Sequence, residues 1–291
     1  MKQLVTADWH IRATVPSCID ATQGEWMNEQ KRVLKEVLRI AKENQVEQIL
    51  IGGDIFHHDS TTSFECINII QDFAKQITDY DTTVWILCGN HDLPGHSSSN
   101  IPKSAIGVLL NSYAINDMSR NEYCRGCNFD IEDYGEAEVI FKHILTIPYE
   151  EKAEFIECET PETLLEKYPR AKMIYTGDYH KNFVFHKNGR YVINSGCLLK
   201  QATDFEDYQN GVYVVDTETC DIKWCPIDFT LPFNHTGEIK KEMDASIENF
   251  VTGIKKEAVT LDFISSVKNE LPNHEKPVQD KVEGWIEEIG Q

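Results

Sequence analysis

TVWILCGNHD, residues 83–92, is a short apolar run that stops on a glycine and three polar, ligand-type side chains. The same plan occurs twice earlier. KQLVTAD at 2–8 ends on Asp8, and EQILIGG at 47–53 ends just before Asp54. Two stretches with helical spacing lie between these runs. Residues 26–44 put Val33, Val37 and Ile40 on one stripe with Leu34, Leu38 and Ala41 beside it. Residues 64–79 repeat the pattern through Phe64, Ile67, Ile70, Phe73, Ala74 and Ile77. Strand–helix–strand–helix–strand predicts a sheet of parallel strands with flanking helices.

Downstream the pattern weakens. Residues 95–104 are polar and read as a surface loop. Strands are expected at 139–147 and 172–176, the latter ending at Gly177, with a helix at 161–168. The runs 183–193 and 211–225 alternate and read as β, with turns at Asn188-Gly189 and Asn210-Gly211. From about 236 the composition changes. Residues 238–256 and 278–289 have charged, helical patterns, and Pro272 and Pro277 interrupt the region between them. The expected organisation is a catalytic domain over 1–235, including a terminal β extension, followed by a helical tail over 236–291 that is a candidate partner-binding region.

The chain has 291 residues, 41% of them hydrophobic, enough to bury a core. It contains no run of about 18 apolar residues, so no membrane span is expected. The opening MKQLVTADWH lacks the marks of a signal peptide, which predicts a cytoplasmic protein. The nine cysteines are an odd number, and Cys66 and Cys88 sit in apolar segments, as reduced thiols do. Cys124-x-x-Cys127 and the pair Cys220 and Cys225 read either as zinc ligands or as thiols across a turn. The net charge of −20, from 48 acidic and 28 basic residues, argues against nucleic-acid binding through bulk positive charge. It does not exclude nucleic acid, because bound divalent metals invert the local field.

The chemistry lies where predicted strands end. Asp8-Trp9-His10, Gly53-Asp54, Gly89-Asn90-His91-Asp92 and Gly177-Asp178-Tyr179-His180 each follow an apolar run. In open α/β sheets that edge is where ligands bind. Asp, His and Asn together suit manganese, iron, zinc or magnesium. Any one of these tetrapeptides occurs by chance, and a lone Asp after a strand usually caps a helix. Four in order are hard to obtain by accident.

This series resembles the calcineurin-like metallophosphoesterases, and within them most closely the SbcD nuclease subunit and its phage relatives. Softer features of the same kind are Ile147-Pro148-Tyr149, the stretch Tyr191 to Gly196, and the strand Gly211 to Asp216. The resemblance covers roughly residues 1–225. It implies an αββα sandwich, here with a short β extension and a C-terminal helical tail, and two divalent metal ions, with manganese preferred and magnesium the alternative. It implies that Asp8, His10 and His180 hold the first ion, that Asp54 bridges both, and that Asn90 serves the second. It makes His91 the imidazole beside the scissile phosphate, able to stabilise charge or protonate the leaving group. The implied activity is exo- and endonucleolytic cleavage of DNA in recombination and repair, with an SbcC-like coiled-coil ATPase as partner and a homodimer as an expected assembly.

Two departures stand out. The last motif of the family reads Gly-His-x-His, and this chain has Asp178 at the first His, which stays a candidate ligand of the second ion. The family also has a His at the end of a preceding strand, yet residues 144–179 contain none. His143 and Glu150 are the candidates, although Ile144, Leu145 and Ile147 predict that the strand runs past His143. His57, His58 and His96 read as either substrate-facing or surface residues, and His186, His235 and His274 as surface residues. Trp9 and Tyr179 read as packing or as base-stacking groups. Two other functions remain open: a stand-alone phosphatase or phosphodiesterase acting on nucleotides or phosphoproteins, and a non-catalytic scaffold, whose support is the missing histidine.

Overall fold

The computed structural model describes residues 1–58, 62–77, 81–112, 115–128, 136–148 and 158–234, together with Leu271, Lys276, Gln279 and Val282. The chain divides into two compact units, Met1–Pro232 and Phe233–Gln291. The expected helices of the tail, like Glu150, Tyr149, His235 and His274, fall outside the described residues apart from those four positions.

Two sheets make the first unit. Lys2–Thr6 (β1), Gln48–Gly52 (β2), Thr83–Leu87 (β3) and Ile115–Asp117 (β4) are parallel neighbours in that order. The second sheet runs in the order Arg125–Cys127 (β5), Val139–His143 (β6), Met173–Gly177 (β7), Arg190–Asn194 (β9) and Phe183–Lys187 (β8). Only β8 in this sheet is antiparallel to its neighbour. Leu50, Leu87, Phe141, Tyr175 and Ile193 share one buried cluster between the sheets. Side chains alternate along a strand, so Ile49 and Ile51 point to the opposite face and are equally buried. Both faces are covered, which explains why these strands are continuous apolar runs.

Gln23–Glu43 (α1) begins with a reciprocal cap. The Glu25 amide donates to Thr22 Oγ1, and the Thr22 amide donates to Glu25 Oε2 at 2.8 Å. Such a cap contributes about 1 kcal/mol. Phe64–Ile77 (α2) packs against α1. Ala105–Leu110 (α3) precedes β4. Pro161–Lys167 (α4) covers the outer face of the second sheet, where Leu164 and Leu165 meet Ile140, Ile174 and Val192.

Two sequence expectations change. The strand predicted over 139–147 ends at His143, and the chain then leaves the sheet. The Gly211–Asp216 (β10) and Asp221–Pro226 (β11) hairpin is the β extension: β10 joins β1 antiparallel and extends the first sheet. Its turn is at 217–220, and Asn210-Gly211 marks the start of the strand, with Asn210 buried and bonded to the Cys197 carbonyl. Short β4 and β5 have no periodic sequence signal, because three residues are too few to show alternation.

Candidate metal centre

Parallel β1, β2, β3, β6 and β7 deliver their C-terminal ends to one edge, and the polar motifs follow there. The turn off each strand is tight. Asp8, His10, Asp54 and Asp178 all have positive φ, 52°, 48°, 49° and 75° respectively, a conformation that costs energy outside glycine and gathers at functional sites. Two glycines make room for this. A Cβ on Gly89 would lie 2.1 Å from Asp54 Oδ1, and one on Gly53, itself at φ 96°, would lie 2.6 Å from His143 Nδ1.

Asp8, His10, Asp54 and His143 are buried. Three sets of side chains each bring one ligand atom per residue within 4.8 Å of one another: Asp8 with His10 and His180, His10 with Asp54 and His91, and Asp8 with Asp54 and His143. His10 Nε2 and His180 Nε2 face each other at 3.1 Å. His143 Nε2 is 3.1 Å from Asn90 Oδ1 and 3.4 Å from Asp54 Oδ1. His143 Nδ1 lies 2.8 Å from the Gly52 carbonyl, and donating a proton there leaves Nε2 with its lone pair toward the carboxylates. His10 Nδ1 and Asp54 Oδ2 are buried with no hydrogen-bond partner among the described residues.

The electrostatics fit a cation. Burial holds His10 and His180 below the usual histidine value, so both present neutral rings. Burial pushes Asp8 well up. Burial opposes ionisation of Asp54 as well, but His143, with His10 and His91, brings it below the ordinary carboxylate range. Burial alone would lower His143. Asp54, Asp8 and Asp178 outweigh it and raise the imidazole to about 10. A divalent cation among these carboxylates would supply the positive charge they demand and leave His143 free to act as a ligand.

Asn90 is therefore brought into the group through His143, and His91 flanks it. The His91 amide donates to Asp54 Oδ1 at 3.0 Å. His91 Nδ1 lies 2.8 Å from the His57 carbonyl, so its Nε2, 4.0 Å from Asp54 Oδ2, is the free nitrogen of a part-exposed ring. Asp178 is placed differently. Its amide donates to both Asp8 oxygens at 3.1 Å, while its carboxylate enters none of the three sets. No cysteine enters them either among the described residues, and all nine cysteines are free thiols. Trp9 is fully buried, edge-on to Phe73, and Tyr179 lies tilted against Phe183. His96 Nδ1 sits 2.8 Å from the Asn90 carbonyl, and exposed His186 stacks on Tyr191.

Sequence reading missed two residues here. Asp92 is buried and accepts from the amides of Phe56 (2.9 Å) and Gly89 (3.0 Å), tying the turns after β2 and β3 together. Burial and the neighbouring Asp54 raise it to about 7. Its place in Gly-Asn-His-Asp was the available signal. Arg12 contacts His57, with Nη1 2.9 Å from Nε2, and nothing in its sequence context marked it.

Two sandwiched, largely parallel sheets with an Asp/His centre at their C-terminal edge define a metal-dependent phosphoesterase. The chain belongs to the calcineurin-like phosphoesterase family, whose model matches residues 1–182. It is 28% identical over 108 residues to the D component of the SbcCD nuclease of Bacillus subtilis (strain 168), which is 35% of this chain and only 25% of that protein. Among solved structures, it resembles TT1561 of Thermus thermophilus at 11% identity and TM-score 0.47, over 78% of this chain and 99% of that one. It also resembles an archaeal phosphodiesterase at 13% identity and TM-score 0.44, over 78% and 100%. No helix among the described residues is long and apolar enough to cross a membrane.

Proposed function

We propose that the chain is a two-metal phosphodiesterase that cleaves DNA. Asp8, His10 and His180 hold one divalent cation, Asn90 and His143 hold the other, and Asp54 is shared. The observation that carries this reading is the convergence of donor atoms around Asp54, whose buried Oδ2 has no hydrogen-bond partner among the described residues. Asp178 is the further candidate for the second cation, since its carboxylate acts on His143 through space while its amide holds Asp8. The mixture of carboxylate, amide and imidazole favours manganese, then magnesium.

Bound at these residues, divalent cations polarise phosphoryl oxygens and lower the pKa of an attacking water. The protein does the rest. The Gly52 carbonyl fixes the His143 ring, and the Asp178 amide fixes Asp8, so neither ligand has to reorganise. The hydrogen bond from the His91 amide to Asp54 Oδ1 sets the His91 ring beside the shared carboxylate. With Nδ1 donating to the His57 carbonyl, His91 Nε2 is the nitrogen that would deliver a proton to the leaving oxygen from the imidazolium form of the ring. The non-catalytic scaffold reading loses its support, because His143 stands at the strand end where the missing histidine was sought.

DNA as substrate, an SbcC-like ATPase as partner and a role in recombination and repair rest on the motif resemblance to SbcD-type subunits, and the similarity to a Bacillus subtilis nuclease component is in keeping with nuclease activity. Residues 236–291 are the proposed clamp for that partner, and a homodimer is the proposed assembly. Nine free thiols support a reducing, cytoplasmic setting. A stand-alone phosphatase is the second reading, favoured by the net charge of −20. The test is hydrolysis of linear duplex and single-stranded DNA with manganese or magnesium, with and without the ATPase, alongside Asp54→Asn. Cleavage of DNA by the wild type, abolished with metal loss in the variant, supports the proposal. Hydrolysis confined to phosphomonoesters favours the phosphatase, and full activity in Asp54→Asn refutes the shared carboxylate.

A further inference from the structure

Arg12 is the only Lys or Arg between Lys2 and Lys31. Its backbone is pinned: the amide donates to Gln30 Oε1, and the carbonyl accepts from Trp26 Nε1 and Gln30 Nε2, each at 2.9–3.0 Å. Its half-buried guanidinium is steadied by neutral groups. Nε donates to Thr14 Oγ1 at 3.0 Å, and Nη1 lies 2.9 Å from His57 Nε2 and 3.5 Å from Gln201 Oε1. Nη2 has no acceptor among the described residues. The guanidinium forms no ion pair with a carboxylate among the described residues. A half-buried cation is ordinarily paired. This one has no such partner among the described residues, although the chain holds 48 acidic residues, and it stands beside the strand-end edge that carries the candidate ligands.

The position of the head narrows the anion. Arg12 touches His57, whose ring centroid is 5.6 Å from that of His10 and 6.1 Å from that of His91. The guanidinium thus sits one imidazole removed from the donor groups and contacts none of their side chains among the described residues. We propose that Arg12 binds a non-scissile phosphate of a nucleic-acid strand, next to the phosphate being hydrolysed. The planar fork, with Nη2 open, suits a phosphate oxygen pair. This inference rests on the phosphodiesterase reading, and it identifies a specificity residue that separates strands with neighbouring phosphates from isolated diesters.

The full chain, R12Q and R12K are compared with manganese on bis(para-nitrophenyl) phosphate, which has one phosphate, and on a short labelled single-stranded oligonucleotide. Fluorescence anisotropy with calcium in place of manganese reads binding without turnover. R12Q is expected to raise the oligonucleotide KM and Kd about 10- to 100-fold, the range for a hydrogen bond to a charged group. It lowers the slope of log K against log salt by about 1 and leaves the single-phosphate substrate within about twofold. R12K keeps the salt slope. Equal losses on both substrates place Arg12 at the scissile phosphate or in the frame of His57 and overturn the proposal, as does an unchanged oligonucleotide Kd. A wild type that cleaves neither substrate defeats the phosphodiesterase reading instead, and the anisotropy and its salt slope still decide the Arg12 contact.

Discussion

Gly89→Ala tests whether the site depends on close approach of two turns. Gly89 has φ −84°, so alanine meets no backbone penalty there. The added Cβ would stand 2.1 Å from Asp54 Oδ1, 2.5 Å from the Asp54 nitrogen and 2.8 Å from its Cγ, whereas ordinary contact begins at 3.4 Å. Something must move by roughly 1 Å. The Asp54 backbone has little freedom to give, since it already sits at φ 49° and its carbonyl accepts from the His10 amide at 2.9 Å. The displacement therefore falls on the Asp54 carboxylate and the 89–92 turn. A 1 Å misplacement of reacting groups costs about 100-fold in rate, and overpacking costs about 1–3 kcal/mol. The expected result is a hundredfold fall in phosphodiester hydrolysis, loss of bound metal and a Tm lower by about 3–9 °C. Hydrolysis and metal content within threefold of wild type, with unchanged Tm, would refute the idea that Gly89 is required for contact with Asp54.

Other substitutions separate the remaining roles. His91→Asn should cut hydrolysis by about 10²–10⁴-fold while metal content stays at the wild-type level; joint loss of metal would make His91 a ligand. Asp178→Ala should loosen metal through dialysis and make the rate depend steeply on added manganese, and an unchanged rate and stoichiometry would reduce Asp178 to an amide that holds Asp8. Glu29 is buried on α1, where it receives both Arg32 nitrogens (2.7 and 2.8 Å) and the amide and hydroxyl of Thr230 (2.8 and 2.7 Å). Burial alone would raise it, but Arg32 and Thr230 bring it below the ordinary glutamate value. Its stabilisation is therefore complete above the unfolded-state value of about 4.3 and disappears as pH falls through the lower folded value. Glu29→Gln should cost about 1.5–3 kcal/mol at pH 7 and flatten the acid limb of stability below pH of about 4, as read by urea denaturation across pH; parallel acid limbs would contradict this.

Much of the fold was legible in sequence, because the alternating periods survive wherever an element is long enough to show one. β1, β2, β3, α1 and α2 are legible in order and nearly in place, although α1 starts at Gln23, behind its Thr22 cap, rather than at residue 26. The candidate donors Asp8, His10, Asp54, Asn90 and His180 are nominated by sequence, since each follows an apolar run and carries ligand chemistry. Tertiary structure decided the rest. Where β6 ends depends on pairing with β7 through His143 and Gly177, and apolar Ile144, Leu145 and Ile147 mask that end in one dimension. β10 and β11 find their place only because β1, at the other end of the described chain, offers an edge, with Lys2 opposite Asp216. The role of Arg12 is likewise invisible from its neighbours. It comes from His57 and Gln201, brought alongside by the sheet edge and by no local pattern, and a contact between distant segments leaves no periodicity to read.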